Sequence, residues 1–323
     1  MAQVPKELSA PGRLAVATRS LSKRYGSNMA LDDVSLTVPE GSVYVLVGPN
    51  GAGKSTALKV LLDLVVADRG SAEVLGLDTR TQSAAVRAHI GYVPERDEVG
   101  YGWLEVGALI RYHAAYYRCW DASYAGELSR LFSIRSDMKL GRLSKGQQRR
   151  VQLLLALAHH PPVLVMDEPT DGLDPLMREE TLAALAAHLA RFPTTILLST
   201  HQVHEAERLG DHLGVMCGGQ LHAQTSRDAL RRYLRRYQFE VPDGWAPSAE
   251  LAQSVIRRNG SRREVAWTLW GEESEVVERL RDSGATLRHV EPLSLADATL
   301  ALLERHADRP LSSQDRETVH AGV

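Results

Sequence analysis

Cysteine is nearly missing from the chain. The two present, Cys119 and Cys217, are too few and too scattered for a disulfide framework or a thiolate metal site. A reducing compartment fits that usage. Long apolar runs are missing too. No window reaches the roughly 18 uncharged apolar residues that a membrane-spanning helix needs. The most apolar stretch, Val151 to His160, is short and follows a basic run. The N-terminus lacks the apolar segment of a secretory leader. Nor is charge of one sign in excess: 38 Lys and Arg against 40 Asp and Glu leave a net charge of −2, so no global field favours nucleic acid. Any link to a membrane must come through a partner or a surface patch. What the chain does have is 44% apolar residues, enough for a sizeable core. Its 323 residues suit one large domain, or one large and one small.

Residues 1–14 are rich in Pro, Ser and Gly and read as a loose arm. From Leu14 to Val38 apolar and polar residues alternate like strands around a turn at Tyr25-Gly26-Ser27-Asn28. Val43 to Val47 is a continuous apolar run, the mark of a buried strand. Helical periodicity follows over Thr56 to Val66, Trp103 to Leu131, Gln147 to His159, Met177 to Ala190 and Val203 to Leu209. Strand-like runs fall at Ile90 to Val93, Val163 to Met166, Thr194 to Ser199 and His212 to Cys217. Such alternation implies a mostly parallel sheet flanked by helices. A break near Gln238 separates residues 15–236 from a small α+β unit at 237–306, whose Asn259-Gly260 is a hairpin-turn signal. Residues 307–323 read as a polar, disordered tail.

The strongest local signal is Gly48-Pro49-Asn50-Gly51-Ala52-Gly53-Lys54-Ser55, placed between a strand and a helix. Glycines let consecutive backbone N–H groups turn inward around phosphate oxygens, and the next helix aims its positive N-terminus at the same anion. Lys54 is expected on the β and γ phosphates, and Ser55 on Mg²⁺. Gly48, Asn50, Gly51, Ala52, Gly53 and Thr56 complete the expected cradle. Farther on, the apolar strand Val163 to Met166 ends in Asp167-Glu168. Adjacent strand residues face opposite ways, so the two acids can hold different tasks. Asp167 is expected to hold Mg²⁺, and Glu168 to orient or deprotonate a water.

Leu143-Ser144-Lys145-Gly146-Gln147 completes a set that resembles the ATP-binding-cassette ATPases. Read without that family, the segment is a helix start capped by Ser144, itself an anion site. The family's signature has glycine where Lys145 stands. The resemblance covers Ala15 to Ala223 and implies the α/β P-loop NTPase fold: a mostly parallel core sheet, an antiparallel β subdomain and a helical subdomain. It implies ATP and Mg²⁺ as cofactors. It also implies a head-to-tail dimer with a second copy or a related cassette, in which Ser144, Gly146 and Gln147 act on the partner's nucleotide. By the same resemblance Tyr25 stacks on adenine and His201 contacts the γ-phosphate. Asp171 to Asp174 forms a subunit-contact loop, with Asp174 at the dimer seam. Glu95 stands where most members carry glutamine; it keeps an oxygen for Mg²⁺ or water but loses the amide donors.

Tyr116 to Asp121 and Glu291 to Asp297 resemble a branch of two-component exporter cassettes. The implied partner is a separate integral membrane permease, and the implied location is the cytoplasmic face of the cell membrane. Tyr101, Trp103, Tyr112, Tyr116, Tyr117 and Trp120 crowd the segment that in the family receives the permease; helix packing is the plainer reading of the six as a set. Arg227, Arg231, Arg232, Arg235 and Arg236 read as the basic face of one helix, solvated or leaning on anionic lipid. Two rival functions stand beside the transporter: a soluble cassette acting on ribosomes or DNA, and a regulator that binds ATP without hydrolysis. A single cassette and the lack of heptads between Ser55 and Leu143 speak against the first. Glu168 and His201 speak against the second.

Overall fold

A computed structural model describes residues 12–95, 102–261 and 264–307. Tyr101, the loose arm up to residue 11 and the tail from residue 308 lie outside the described residues.

The chain opens on an antiparallel sheet. Strand β1 (Leu14–Tyr25) turns at Gly26 into β2 (Asn28–Val34), and β3 (Thr37–Pro39) also pairs with β1. Strand β4 (Val43–Val47) then enters the core and runs into α1 (Lys54–Leu61). Strands β5 (Arg69–Val74) and β6 (Leu77–Asp78) rejoin the first sheet, giving the order β2-β1-β5-β6. Helix α2 (Ser83–Ala88) leads to β7 (Ile90–Val93). Helices α3 (Val106–Tyr116), α4 (Ala122–Leu131) and α5 (Lys145–Leu157) form the helical part. Strand β8 (Val163–Asp167), α6 (Pro175–Arg191), β9 (Thr195–Thr200), α7 (Val203–Leu209), β10 (His212–Cys217) and β11 (Gln220–Ser226) complete the cassette. After α8 (Arg227–Tyr233) come β12 (Leu234–Glu240), α9 (Ala249–Ser254), β13 (Val255–Gly260), β14 (Glu264–Trp270), α10 (Glu273–Asp282), β15 (Thr286–Pro292) and α11 (Leu295–Ala307).

The core sheet runs β11-β10-β4-β9-β8-β7, parallel except for the edge strand β11. All five residues of β4 are buried because helices cover both faces. Val43, Val45 and Val47 enter one apolar layer with α4, α5 and α6, while Tyr44 and Leu46 enter the other with α1. This two-sided burial aligns the carboxyl ends of β4, β8 and β9 at one edge, where open α/β sheets bind ligands.

Several expected boundaries move. The helix expected over Trp103 to Leu131 is two helices, because Asp121 caps a new start by accepting from the Tyr124 amide at 2.8 Å. Helix α1 stops at Leu61, not near Val66, and Asp63 just beyond has φ +53°. The short elements β5, β6, α2, β11 and α9 carry too little periodicity to be read from sequence. The boundary expected at 236/237 falls inside β12, the strand that pairs with both β14 and β15. Arg235 and Arg236 therefore lie on a strand, not on the helix of Arg227, Arg231 and Arg232. Three of these cations are ion-paired: Arg232 with Glu272 at 2.7 Å, Arg235 with Glu273 at 3.0 Å and Arg236 with Glu291 at 2.8 Å. They bind the C-terminal unit, which removes the lipid reading for them.

That unit has its own core around Tyr237, Phe239, Trp267 and Leu269. Its last helix returns to the cassette: Ala298, Ala301 and Leu302 of α11 join the layer that holds Leu213, Val215, Leu230 and Leu234. Among the described residues no helix is long and apolar enough to cross a membrane.

Buried histidines make this fold sensitive to acid. His188 is fully buried between Tyr124 Oη at 3.0 Å and Thr194 Oγ1 at 3.1 Å, and burial lowers its pKa from the ordinary 6.5 to about 4. His159, stacked on Tyr117, is likewise pushed to about 4 by burial. The folded state thus binds fewer protons than the unfolded one between pH 4 and 6.5. Stability held above pH 6.5 is lost as pH falls, by at most about 1.4 kcal/mol per pH unit for each histidine. Chemical denaturation at a series of pH values is expected to show this slope, and His188→Gln is expected to remove the share that His188 contributes. An unchanged slope in His188→Gln would take the acid sensitivity away from this residue.

Candidate nucleotide site

The phosphate loop leaves β4 at Gly48 and closes at Gly53, the residue before α1. Gly53 has φ +97°, and a Cβ there would stand 2.3 Å from the Ala30 carbonyl oxygen. Both facts demand glycine. The loop, the end of β1 and the ends of β8 and β9 surround one cavity of about 500 Å³. Tyr25, Asn50, Gly51, Ala52, Gly53, Lys54, Ser55, Thr56, Glu95, Glu168 and His201 all line it, as sequence reasoning expected. Tyr25 is 47% exposed at the cavity's rim, with Lys23 Nζ over its ring at 5.4 Å from the centroid.

Lys54 Nζ donates to the carbonyl oxygens of Gly48 at 2.8 Å and Pro49 at 3.2 Å, and lies 3.3 Å from Glu168 Oε1. The other carboxylate oxygen of Glu168 accepts from His201 Nδ1 at 2.9 Å and from the His201 amide at 3.2 Å. The ring contact requires the Nδ1-protonated tautomer. One buried carboxylate is thus gripped by an ammonium and an imidazole. Glu168 adopts φ +48°, a left-handed backbone that side-chain residues rarely take. Such local strain clusters at functional sites. It is held by two bonds to Ser199, from the Glu168 amide to the carbonyl at 3.0 Å and to Oγ at 3.3 Å.

Asp167 is the last residue of β8 and Glu168 lies beyond it, so the left-handed backbone of Glu168, not strand alternation, separates the two acids. Asp167 is 1% exposed, and its Oδ1 accepts from Ser55 Oγ at 3.0 Å and from Ser199 Oγ. Ser55, Asp167 and Glu95 offer hard oxygens of the kind that would hold Mg²⁺. Among the described residues no cluster of three His, Cys, Asp or Glu side chains forms a metal site by itself.

Ser144, Gly146 and Gln147 do not line this cavity. They open α5, where Ser144 Oγ accepts from the Gln147 amide at 3.2 Å and the Gln147 side chain accepts from the Ser144 amide at 2.9 Å. That capping box leaves Ser144 and Lys145 exposed at a helix N-terminus. Gly146 is buried against α6: a Cβ would meet Met177 Sδ at 2.4 Å. Asp174 caps α6 by accepting from the Met177 amide at 2.9 Å.

Sequence reasoning missed three things. Asn28 and Ala30 line the cavity because β2 turns back beside Tyr25. Asp171, expected at a subunit contact, lines it as well. Arg149 is buried and donates to the carbonyl oxygens of Pro94, Glu95 and Glu168. The turn chemistry at Gly26 could have found the first; nothing local signals Arg149.

These features define a phosphate-binding ATPase cassette. The family description "ABC transporter" matches residues 31–171. The daunorubicin resistance ATP-binding protein DrrA2 of Streptomyces coeruleorubidus is 38% identical over 300 residues, covering 85% of this chain and 90% of that protein. The probable multidrug ABC transporter ATP-binding protein YbhF of Escherichia coli is 33% identical over 226 residues, 68% of this chain. The chain spans only 39% of YbhF's length. A solved ATP-binding subunit of an ABC transporter is 31% identical, with TM-score 0.62, over 67% of this chain and 92% of that one. The chain belongs to the ABC transporter family, among its ATP-binding subunits.

Proposed function

We propose that the chain hydrolyses ATP as a dimer on the cytoplasmic face of a membrane and drives a separate integral permease in the export direction. The observation that carries this reading is the grip of Lys54 and His201 on the two oxygens of Glu168 at the mouth of the phosphate loop. That triad has each part hydrolysis needs: a cation for the γ-phosphate, a carboxylate base, and an imidazole beside the base. Tyr25 holds the adenine, and the loop amides hold the phosphates. Mg²⁺, held by Ser55, Asp167 and Glu95, would neutralise charge on the phosphates. Glu168 takes the proton of the attacking water, and His201 keeps Glu168 aimed. Ser144 and Gln147, exposed at the start of α5, reach the partner cassette's nucleotide, and Gly146, buried between them against α6, lets that turn seat closely. Export is supported by the similarity to the Nod factor export ATP-binding protein I of Rhizobium sp. (strain N33), 34% identical over 305 residues, 92% of this chain and 99% of that protein.

The permease fits a second cavity of about 760 Å³ between α3, α5 and β7. Trp103 and Tyr112, 68% and 66% exposed, stand on its rim, while Tyr117 is stacked on His159 inside it. The five described aromatics therefore divide: Trp120 packs on the core, and Trp103, Tyr112 and Tyr116 stay exposed. An amphipathic helix laid in such a groove would bury them.

Tagged chain purified from gently solubilised native membranes is expected to bring down a polytopic membrane protein in stoichiometric amount. Trp103→Ala is expected to weaken that recovery about tenfold or more, as removal of an interface tryptophan does, with ATP binding unchanged. Recovery from the soluble fraction with ribosomes or DNA would put the rival reading first.

A further inference from the structure

Arg149 does not line the nucleotide cavity, and the residue is buried, only 6% exposed. A buried cation needs acceptors on several sides. Arg149 finds them on the main chain. Its fork donates to the carbonyl oxygens of Pro94, of Glu95 at 2.7 Å and of Glu168 at 3.4 Å. It also donates to Gln152 Oε1 at 3.1 Å, one turn along its own helix. The carbonyls belong to two segments far apart in sequence, the loop after β7 and the end of β8. Each of these segments carries an acid that lines the cavity, Glu95 or Glu168. Arg149 itself stands on α5, the helix whose exposed start is Ser144.

We propose that Arg149 is a positioning residue that couples the two ATP sites of a dimer. It ties the backbone of Glu95 and Glu168, which answer to the nucleotide in their own subunit, to the helix that presents Ser144 and Gln147 to the nucleotide of the partner. The geometry favours transmission over mere filling. A guanidinium is a rigid planar fork, so a shift of either loop acts on α5 as one body. The helix has little slack to absorb such a shift, because Gly146 sits against Met177 with no room for a Cβ. Movement of the acids toward a γ-phosphate therefore moves the signature end of α5 together with the start of α6. This inference rests on the dimeric ATPase reading above.

The test compares full-length wild type with Arg149→Gln and Arg149→Lys in ATP dissociation constant, kcat, KM, Hill coefficient and melting temperature. Wild type is expected to hydrolyse ATP with a Hill coefficient near two, set by two coupled sites. Arg149→Gln is expected to bind ATP within about twofold of wild type, lose about tenfold in kcat, and fall to a Hill coefficient near one. Arg149→Lys, which keeps the charge without the fork, is expected to lie between. If Arg149→Gln does not fold, Gln152→Ala serves instead: it leaves the guanidinium in place, frees one arm of the fork and is expected to lower the Hill coefficient in the same direction. A Hill coefficient that stays at the wild-type value in Arg149→Lys and Gln152→Ala, whatever happens to melting temperature, overturns the proposal and leaves a structural anchor. Failure of the underlying reading looks different, since wild type itself would then show no hydrolysis or no cooperativity.

Discussion

Glu168→Gln is expected to lower ATP turnover by at least about a hundredfold and to leave ATP binding intact, in line with the loss of a general base. The argument is geometric before it is chemical. Glu168 is held at both oxygens, by Lys54 at 3.3 Å and by His201 at 2.9 Å, and its main chain is locked to Ser199. A carboxamide of the same shape can keep one contact to Lys54, but it has no charge with which to take a proton. Meanwhile a γ-phosphate approaching Lys54 meets less competition, because the lysine no longer faces an anion. ATP affinity is therefore expected to stay level or to rise. The closed dimer, having no route to hydrolysis, is expected to persist in size-exclusion chromatography with ATP. Single-turnover hydrolysis and equilibrium binding, measured on the same preparation, separate the two effects. Turnover near the wild-type rate would mean that another group activates the water.

The parts of this site that were legible in the sequence are those whose chemistry is local. The phosphate loop needs glycines in a row, and Gly53 shows why: its φ of +97° and the Ala30 carbonyl behind it admit nothing larger. The strand that leads into Asp167-Glu168 is legible because two-sided burial makes β8 apolar from Val163 to Met166. The capping box at Ser144 and Gln147 is a four-residue pattern. The Lys54–Glu168–His201 grip is not legible as geometry, since its members lie on three elements joined only by the order of the core sheet. Arg149 is harder still. In sequence it is one of two adjacent arginines on a helix, and only the fold shows that Arg149 points inward to three carbonyls while Arg150 pairs with Glu180. The arginines around residue 235 misled for the same reason. Helical spacing continued past Tyr233, but the backbone had already turned into β12, whose pairing with β14 fixes it as a strand. The C-terminal unit was legible as elements, although Asn259-Gly260, expected at the hairpin turn, stands inside β13, paired with Ala266 and Val265 of β14. The return of α11 to the cassette was not, because small residues such as Ala298 and Ala301 carry no signal of which surface they meet.

Lys54→Met tests the other half of the site and is expected to act in two directions. ATP affinity is expected to fall by at least about a hundredfold, the loss that follows when one partner of a desolvated charge pair is truncated. Stability without added nucleotide is expected to fall as well, by about 2 kcal/mol. The lysine side chain is 5% exposed and Glu168 8%, so removing the ammonium leaves a buried carboxylate with one cationic neighbour fewer. It also strips the Gly48 and Pro49 carbonyls of their shared donor. The two losses have different sources, and a second substitution divides them. Adding Glu168→Gln to Lys54→Met removes the unpaired charge but cannot restore phosphate binding. The double variant is therefore expected to regain about half of the lost stability while still failing to bind ATP. Calorimetric melting and equilibrium binding of ATP on wild type, both single variants and the double close the cycle. Unchanged ATP affinity in Lys54→Met would remove the cavity from consideration as the nucleotide site. A double variant no more stable than Lys54→Met would show that the strain lies in the loop carbonyls, not in Glu168.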